Sequence, residues 1–126
     1  MSAAADEALK VMREAECLYT LEQLTDACDD IADAINRDYD GRELVVLCIM
    51  NGGLVTTGWL LPRLQMPLRV DYLHATRYRD KTSGGDLDWR VEPVNELAGQ
   101  DVLIIDDILD EGYTLEAIIA FCHAQG

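Results

Sequence analysis

Positive charge is scarce in this chain: ten Lys and Arg stand against twenty-four Asp and Glu, for a net charge of −14 over 126 residues. That balance excludes the basic patch on which nucleic-acid and membrane-surface proteins depend. Long apolar runs are missing as well, and the longest are too short to span a bilayer. Four cysteines, Cys17, Cys28, Cys48 and Cys122, form no C-x-x-C pair, so a metal cluster or disulfide framework is not expected. The two histidines, His74 and His123, lack partner spacing for a metal site. The N-terminus is polar and acidic, without a signal-peptide pattern. These absences lead us to expect one reduced, cytoplasmic domain over residues 1–126, large enough for a real core, with no nucleic-acid or membrane partner.

What is present is patterned. Residues 2–17 read as an acidic helix with Ala5, Leu9, Met12 and Cys17 or Leu18 on one side. Thr20 and Gln23 make a capping box for a second helix. Its apolar stripe is Leu21, Leu24, Cys28, Ile31 and Ile35, and its aspartates form a solvated face. Leu44 to Met50 is a fully apolar strand, followed by Asn51-Gly52-Gly53 and a helix from about Leu54 to Leu64 that Pro62 interrupts. Strand, glycine turn, helix, strand predicts a right-handed βαβ unit. Gly52 and Gly53 remove two side chains where backbone can approach a ligand. Leu68 to His74 is the next strand. The polar stretch Thr76–Asp86 follows, near four of the ten basic residues (Arg69, Arg77, Arg79, Lys81); it reads as a mobile lid or as an exposed hairpin loop. Trp89 to Val94 reads as a short strand beside it.

The most informative stretch is Val102 to Thr114. Four branched apolar residues mark a strand buried on both faces. Asp106, Asp107, Asp110 and Glu111 then fall at its carboxyl end, where ligands of open α/β sheets sit. Gly112 breaks the run, and Thr114 leads into an apolar helical pattern whose free N–H groups attract an anion. Carboxylates suit sugar hydroxyls, a divalent cation or a proton; the Gly112-Tyr113-Thr114 turn suits a phosphate. A ribose 5-phosphate has both ends. A single acidic helix cap is the plainer alternative, but an N-cap needs one acid and here three aspartates stand at fixed spacing.

The segment Ile104-Ile105-Asp106-Asp107-Ile108-Leu109-Asp110-Glu111-Gly112-Tyr113-Thr114 resembles the phosphoribosyl pyrophosphate motif of the type I phosphoribosyltransferases, most like the bacterial hypoxanthine/guanine enzymes, and the resemblance covers about residues 20–122. It implies an α/β fold with an open, mainly parallel twisted sheet and flanking helices. It implies transfer of the 5-phosphoribosyl group from phosphoribosyl pyrophosphate to a 6-oxopurine such as hypoxanthine or guanine, with Mg2+ as cofactor and a homo-oligomeric state. By the same resemblance, Asp110 is the catalytic acid–base group. Asp106 and Asp107 take the ribose hydroxyls, directly or through the metal. Glu111, Gly112, Tyr113 and Thr114 wrap the 5-phosphate, Glu111 through its backbone N–H because the hydroxyl usual in the family is missing. Asn51 and Gly52 match a pyrophosphate-contacting loop, commonly Lys-Gly-Gly, that can carry a non-proline cis peptide; Asn51 offers an amide where the family offers a charge. Arg77 and Tyr78 match the start of the flexible loop.

The resemblance also carries an expectation of incompleteness: the family's purine-stacking aromatic, a lysine and a late acidic residue lie on strands beyond the position of Gly126. Two other readings stand beside the enzyme. One is a non-catalytic regulator that binds the phosphoribosyl ligand, for which Asn51 leaves room and against which Asp110 argues. The other is a receiver-type domain, which would carry its paired acids after an early strand rather than a late one.

Overall fold

The computed structural model describes residues 1–77, 87–108 and 112–126, with the backbone alone of Arg77 and Tyr113. Helices α1 (Ala3–Glu14) and α2 (Leu21–Asp38) precede strand β1 (Leu44–Ile49). Helix α3 (Leu54–Leu60) runs into a single 3-10 turn, Leu61–Arg63, because Pro62 has no N–H to continue the ladder. Strands β2 (Leu68–Arg77), β3 (Leu87–Val91) and β4 (Asp101–Ile105) follow, and helix α4 (Tyr113–Ala124) ends the chain.

The four strands form one sheet in the order β3-β2-β1-β4. β1 lies between β2 and β4 and is parallel to both, Cys48 facing Tyr72 on one side and Ile105 on the other. All six residues of β1 are buried, the unbroken apolar pattern that a central parallel strand requires. β2 and β3 are antiparallel, with a register shift at His74/Ala75. The sheet is therefore mainly parallel with one antiparallel edge. The two faces follow from alternation along β1. Leu44 and Val46 pack with Cys28, Ala32 and Leu60 under α2 and α3, while Leu47 and Ile49 pack with Leu73, Ala75 and Ile118 under α4. Trp89 of β3 stacks on Phe121 of α4, ring centroids 4.5 Å apart, tying β3 to that helix.

Three sequence expectations need correcting. α1 is shorter than expected and buries no residue, leaving Met12 and Leu18 exposed; amphipathic spacing makes a helix possible but does not supply a surface for it to cover. The Thr20/Gln23 capping box forms, but α2 turns Cys28 and Ala32 inward, with Ile35 and Tyr39 partly buried, and leaves Leu21, Leu24 and Ile31 exposed. β3 stops at Val91, not Val94. Pro93 cannot donate to a ladder, and the N–H groups of Val94 and Asn95 turn instead to Asp71 of β2, at 2.9 and 2.7 Å.

Candidate functional site

β1 and β4 are parallel neighbours, so their carboxyl ends open on the same edge of the sheet. At the end of β1 the chain turns through Met50-Asn51-Gly52-Gly53, with a cis peptide bond between Met50 and Asn51. Gly53 N–H donates to the Ile49 carbonyl (2.8 Å) and Leu54 N–H to the Asn51 carbonyl (3.1 Å), which closes the turn and starts α3. At the end of β4 stand Asp106 and Asp107.

The two ends touch, and glycine is what allows it. A Cβ on Gly52 would lie 2.6 Å from both Cγ and Oδ1 of Asp107; one on Gly53 would lie 2.5 Å from the Ile105 carbonyl oxygen and 2.9 Å from that of Ile49. The carboxylate of Asp107 thus occupies the space that any other residue at position 52 would fill. Asp106 is half-buried and Asp107 exposed. Partial burial pushes the Asp106 carboxyl above the ordinary carboxylate value, and the neighbouring Asp107 adds to that shift. The Asp107 N–H, donating to Asp106 Oδ1 at 2.8 Å, works the other way. A pair held in this way favours an arriving positive charge or hydroxyl donors.

Gly112 closes the far side. Its φ of +83° is left-handed, a conformation glycine adopts without strain, and its carbonyl accepts the first helical bond of α4 from Glu116 N–H at 2.9 Å. Between these parts lies a cleft of about 230 Å³ lined by Ile49, Ala75, Asp106, Gly112, Thr114 and Leu115, among others. Its apolar floor, Ile49 and Ala75, is absent from the sequence reading; the only signal was a small residue, Ala75, late in a strand of larger ones. A larger cleft of about 450 Å³ flanks the outer edge of β4, but Gln100, Asp101 and Gly126 place one end of it at the start of that strand, away from the ligand end of a parallel sheet.

Of the residues singled out in the sequence, Asn51, Gly52, Asp106, Asp107, Gly112 and Thr114 are gathered at this one edge of the sheet. Arg77 ends β2, and Tyr113 opens α4. Tyr78, Asp110 and Glu111, with the expected lid, lie outside the described residues. A buried carboxylate that sequence reasoning missed is Asp71. Burial alone would raise its pKa; hydrogen bonds from the Asn95 backbone and side chain, Tyr72 N–H and Val94 N–H outweigh that and hold it below the ordinary carboxylate value.

Residues 15–126 match the family model described as phosphoribosyl transferase domain. The chain belongs to that family. Within it, this phosphoribosyl transferase domain is 31% identical over 111 residues to a hypoxanthine-guanine phosphoribosyltransferase of Staphylococcus aureus, spanning 87% of this chain and 62% of that one. The solved structure of a Staphylococcus aureus hypoxanthine phosphoribosyltransferase superposes with a TM-score of 0.85 at 29% identity, covering 91% of the domain and 64% of its own chain. A Trypanosoma cruzi hypoxanthine phosphoribosyltransferase, solved in complex with the product IMP, superposes with a TM-score of 0.78 at 25% identity, covering 86% and 63%. The domain thus spans less than two thirds of the length of these relatives.

Proposed function

We propose that this domain binds phosphoribosyl pyrophosphate and transfers its 5-phosphoribosyl group to N9 of a 6-oxopurine, hypoxanthine or guanine, giving the nucleoside monophosphate and pyrophosphate. The observation that carries the proposal is the meeting of the Asn51–Gly53 turn with Asp107 across β1 and β4. It sets a backbone-lined turn against two carboxylates and a helix start, an arrangement suited to a sugar with phosphates at both ends.

In this reading Asp106 and Asp107 accept hydrogen bonds from the ribose 2- and 3-hydroxyls. Gly112, Tyr113 and Thr114, with the Glu111 N–H, surround the 5-phosphate at the start of α4, where free N–H groups and the dipole favour an anion. Asn51 and Gly52 take the pyrophosphate through amide groups, Arg77 and Tyr78 begin the loop that closes over the ligand, and Asp110 handles the proton at the purine. Cleavage of the C1–O bond builds oxocarbenium character on the ribose, and the carboxylates beside the sugar favour that positive charge.

The donor set at Asp106 and Asp107 fits magnesium. Both are hard oxygen ligands, and this ion is commonly held by one or two carboxylates, waters and substrate phosphates. Among the described residues no group of three or more His, Cys, Asp or Glu gathers as a dedicated cage. When bound, magnesium neutralises the leaving pyrophosphate, a Lewis-acid service that a chain of net charge −14 cannot supply itself.

We further assign the protein to the cytoplasm and to a homo-oligomeric state; among the described residues no helix is long and apolar enough to cross a membrane. The test is a titration with phosphoribosyl pyrophosphate and magnesium, then addition of each purine with assay for pyrophosphate. Release of pyrophosphate with hypoxanthine or guanine is expected. Binding without turnover would favour the regulatory reading, and no binding would sink both.

A further inference from the structure

Among the described residues one buried side-chain hydroxyl stands without a hydrogen-bond partner. It is Oγ1 of Thr57, a residue of α3 that is 4% exposed. Buried polar groups are nearly always matched, and a stranded one costs more than an ordinary bond contributes. A threonine inside a helix has a ready remedy, because its hydroxyl can donate to a carbonyl three or four residues back. Thr25 of α2 does so, at 3.1 Å to the Leu21 carbonyl and 3.0 Å to that of Glu22. Thr57 does not, although its own N–H donates to the carbonyl four residues back, that of Gly53, at 2.9 Å.

The place of this hydroxyl gives it a use. Gly53 N–H donates in turn to the Ile49 carbonyl at 2.8 Å, so the end of β1, the glycine turn and Thr57 form one ladder with a rung every four residues. Thr57 and Leu60 are the buried residues of α3, so the hydroxyl faces the interior and water cannot take its proton. The Asn51–Gly53 turn stands at the other end of the ladder. When its amide groups swing toward an anion, Gly53 must rotate, and its carbonyl leaves the line of the Thr57 N–H. A hydroxyl turns about its own bond and can follow that carbonyl, which a backbone N–H cannot.

We propose that Thr57 is a positioning residue for the turn: its hydroxyl takes the Gly53 carbonyl once phosphoribosyl pyrophosphate draws the turn's amide groups outward. The assignment rests on the ligand reading given above. The free form carries an unmatched hydroxyl and the loaded form does not, so the difference between them enters the affinity.

Calorimetric titration with phosphoribosyl pyrophosphate and magnesium, alongside thermal melts of the free protein, tests it. Thr57→Val keeps the branched shape and removes the hydroxyl. The free variant should melt a few degrees above the parent, because the stranded group is gone, yet bind roughly three- to tenfold more weakly. Thr57→Ser restores the hydroxyl and should bind as the parent does, although loss of the buried methyl lowers its melting temperature. A purely structural threonine would change the melts and leave the affinity alone. Equal binding by parent and Thr57→Val, or a Thr57→Ser that binds as weakly as Thr57→Val, would overturn the positioning role and leave the ligand reading standing. Thr57→Val melting no higher than the parent would show the hydroxyl already matched in the free protein, and would overturn the role without any ligand. A parent that fails to bind would sink the ligand reading, and this role with it.

Discussion

Gly52 and Gly53 are adjacent in sequence, and alanine at each should fail in a different way. At position 52 the new Cβ lands 2.6 Å from Asp107 Cγ and Oδ1 and 2.8 Å from Oδ2. Ordinary carbon contacts sit near 3.5–4.0 Å, so the carboxylate must retreat by roughly 1 Å. Asp107 is exposed, and turning it outward costs little; the fold should lose no more than about 0.5 kcal/mol. What is lost is the placement of a charged acceptor, about 1.5–3 kcal/mol for a hydrogen bond to a charged group. At 1.4 kcal/mol per decade this weakens phosphoribosyl pyrophosphate binding by roughly ten- to a hundredfold. At position 53 the Cβ meets the carbonyl oxygens of Ile105 and Ile49. Both are strand backbone and neither can turn aside, so overpacking of about 1–3 kcal/mol or more falls on the fold itself. Calorimetric titration with ligand and magnesium, alongside thermal melts, separates the two. Gly52→Ala should melt with the parent and bind weakly, whereas Gly53→Ala should melt several degrees lower. Normal affinity in Gly52→Ala would remove Asp107 from the ribose site. Equal losses of melting temperature in both variants would show that the turn, not the carboxylate, absorbs the strain.

Other predictions concern the carboxylates and the phosphate turn. Asp71 has a depressed pKa in the folded state, so its contribution to stability is full above the unfolded value near 3.9 and fades as pH falls through the lower folded value. Asp71→Asn should flatten that part of the stability–pH curve below about pH 4. Asp71→Ala should cost at least about 1–3 kcal/mol at neutral pH by stranding the Val94 and Asn95 donors; a pH profile identical to the parent's in Asp71→Asn would refute this. Gly112→Val should abolish ribose-5-phosphate binding, since a β-branched residue is badly strained at φ +83°, while Thr114→Ala should weaken it by only about 0.5–1.5 kcal/mol. Calorimetry showing normal affinity in Gly112→Val would place the phosphate elsewhere. Asp110→Asn should lower turnover by roughly 10²–10⁴-fold with ligand binding nearly kept, the range for a general acid–base group; steady-state kinetics equal to the parent's would take Asp110 out of the chemistry.

The sequence by itself determined whatever is periodic or local. The unbroken apolar run of β1 requires burial on both faces, which it has, so a parallel sheet could be inferred before any contact was known; the similar run of β4 is only half-buried, because it lies at the edge of the sheet with β1 on one side alone. The Thr20/Gln23 box is closed by hydrogen bonds at 2.8 and 3.2 Å between residues three apart, and Gly112 falls where a strand must turn into a helix. The family resemblance rested on the same kind of short, ordered signal. Tertiary structure alone decided what depends on residues distant in the chain. Strand order brought Gly52 against Asp107, and no spacing within either motif encodes that contact. The face of α2 that enters the core was set by the sheet beneath it, which selected Ala32 and passed over Leu21, Leu24 and Ile31. Asp71, unremarkable in an alternating strand, became a buried anchor because Pro93 leaves the chain after β3 without a ladder and the next two N–H groups needed an acceptor. Local pattern fixes which residues can form an element; the partner each surface finds is settled only when the chain closes on itself and every buried polar group must be matched.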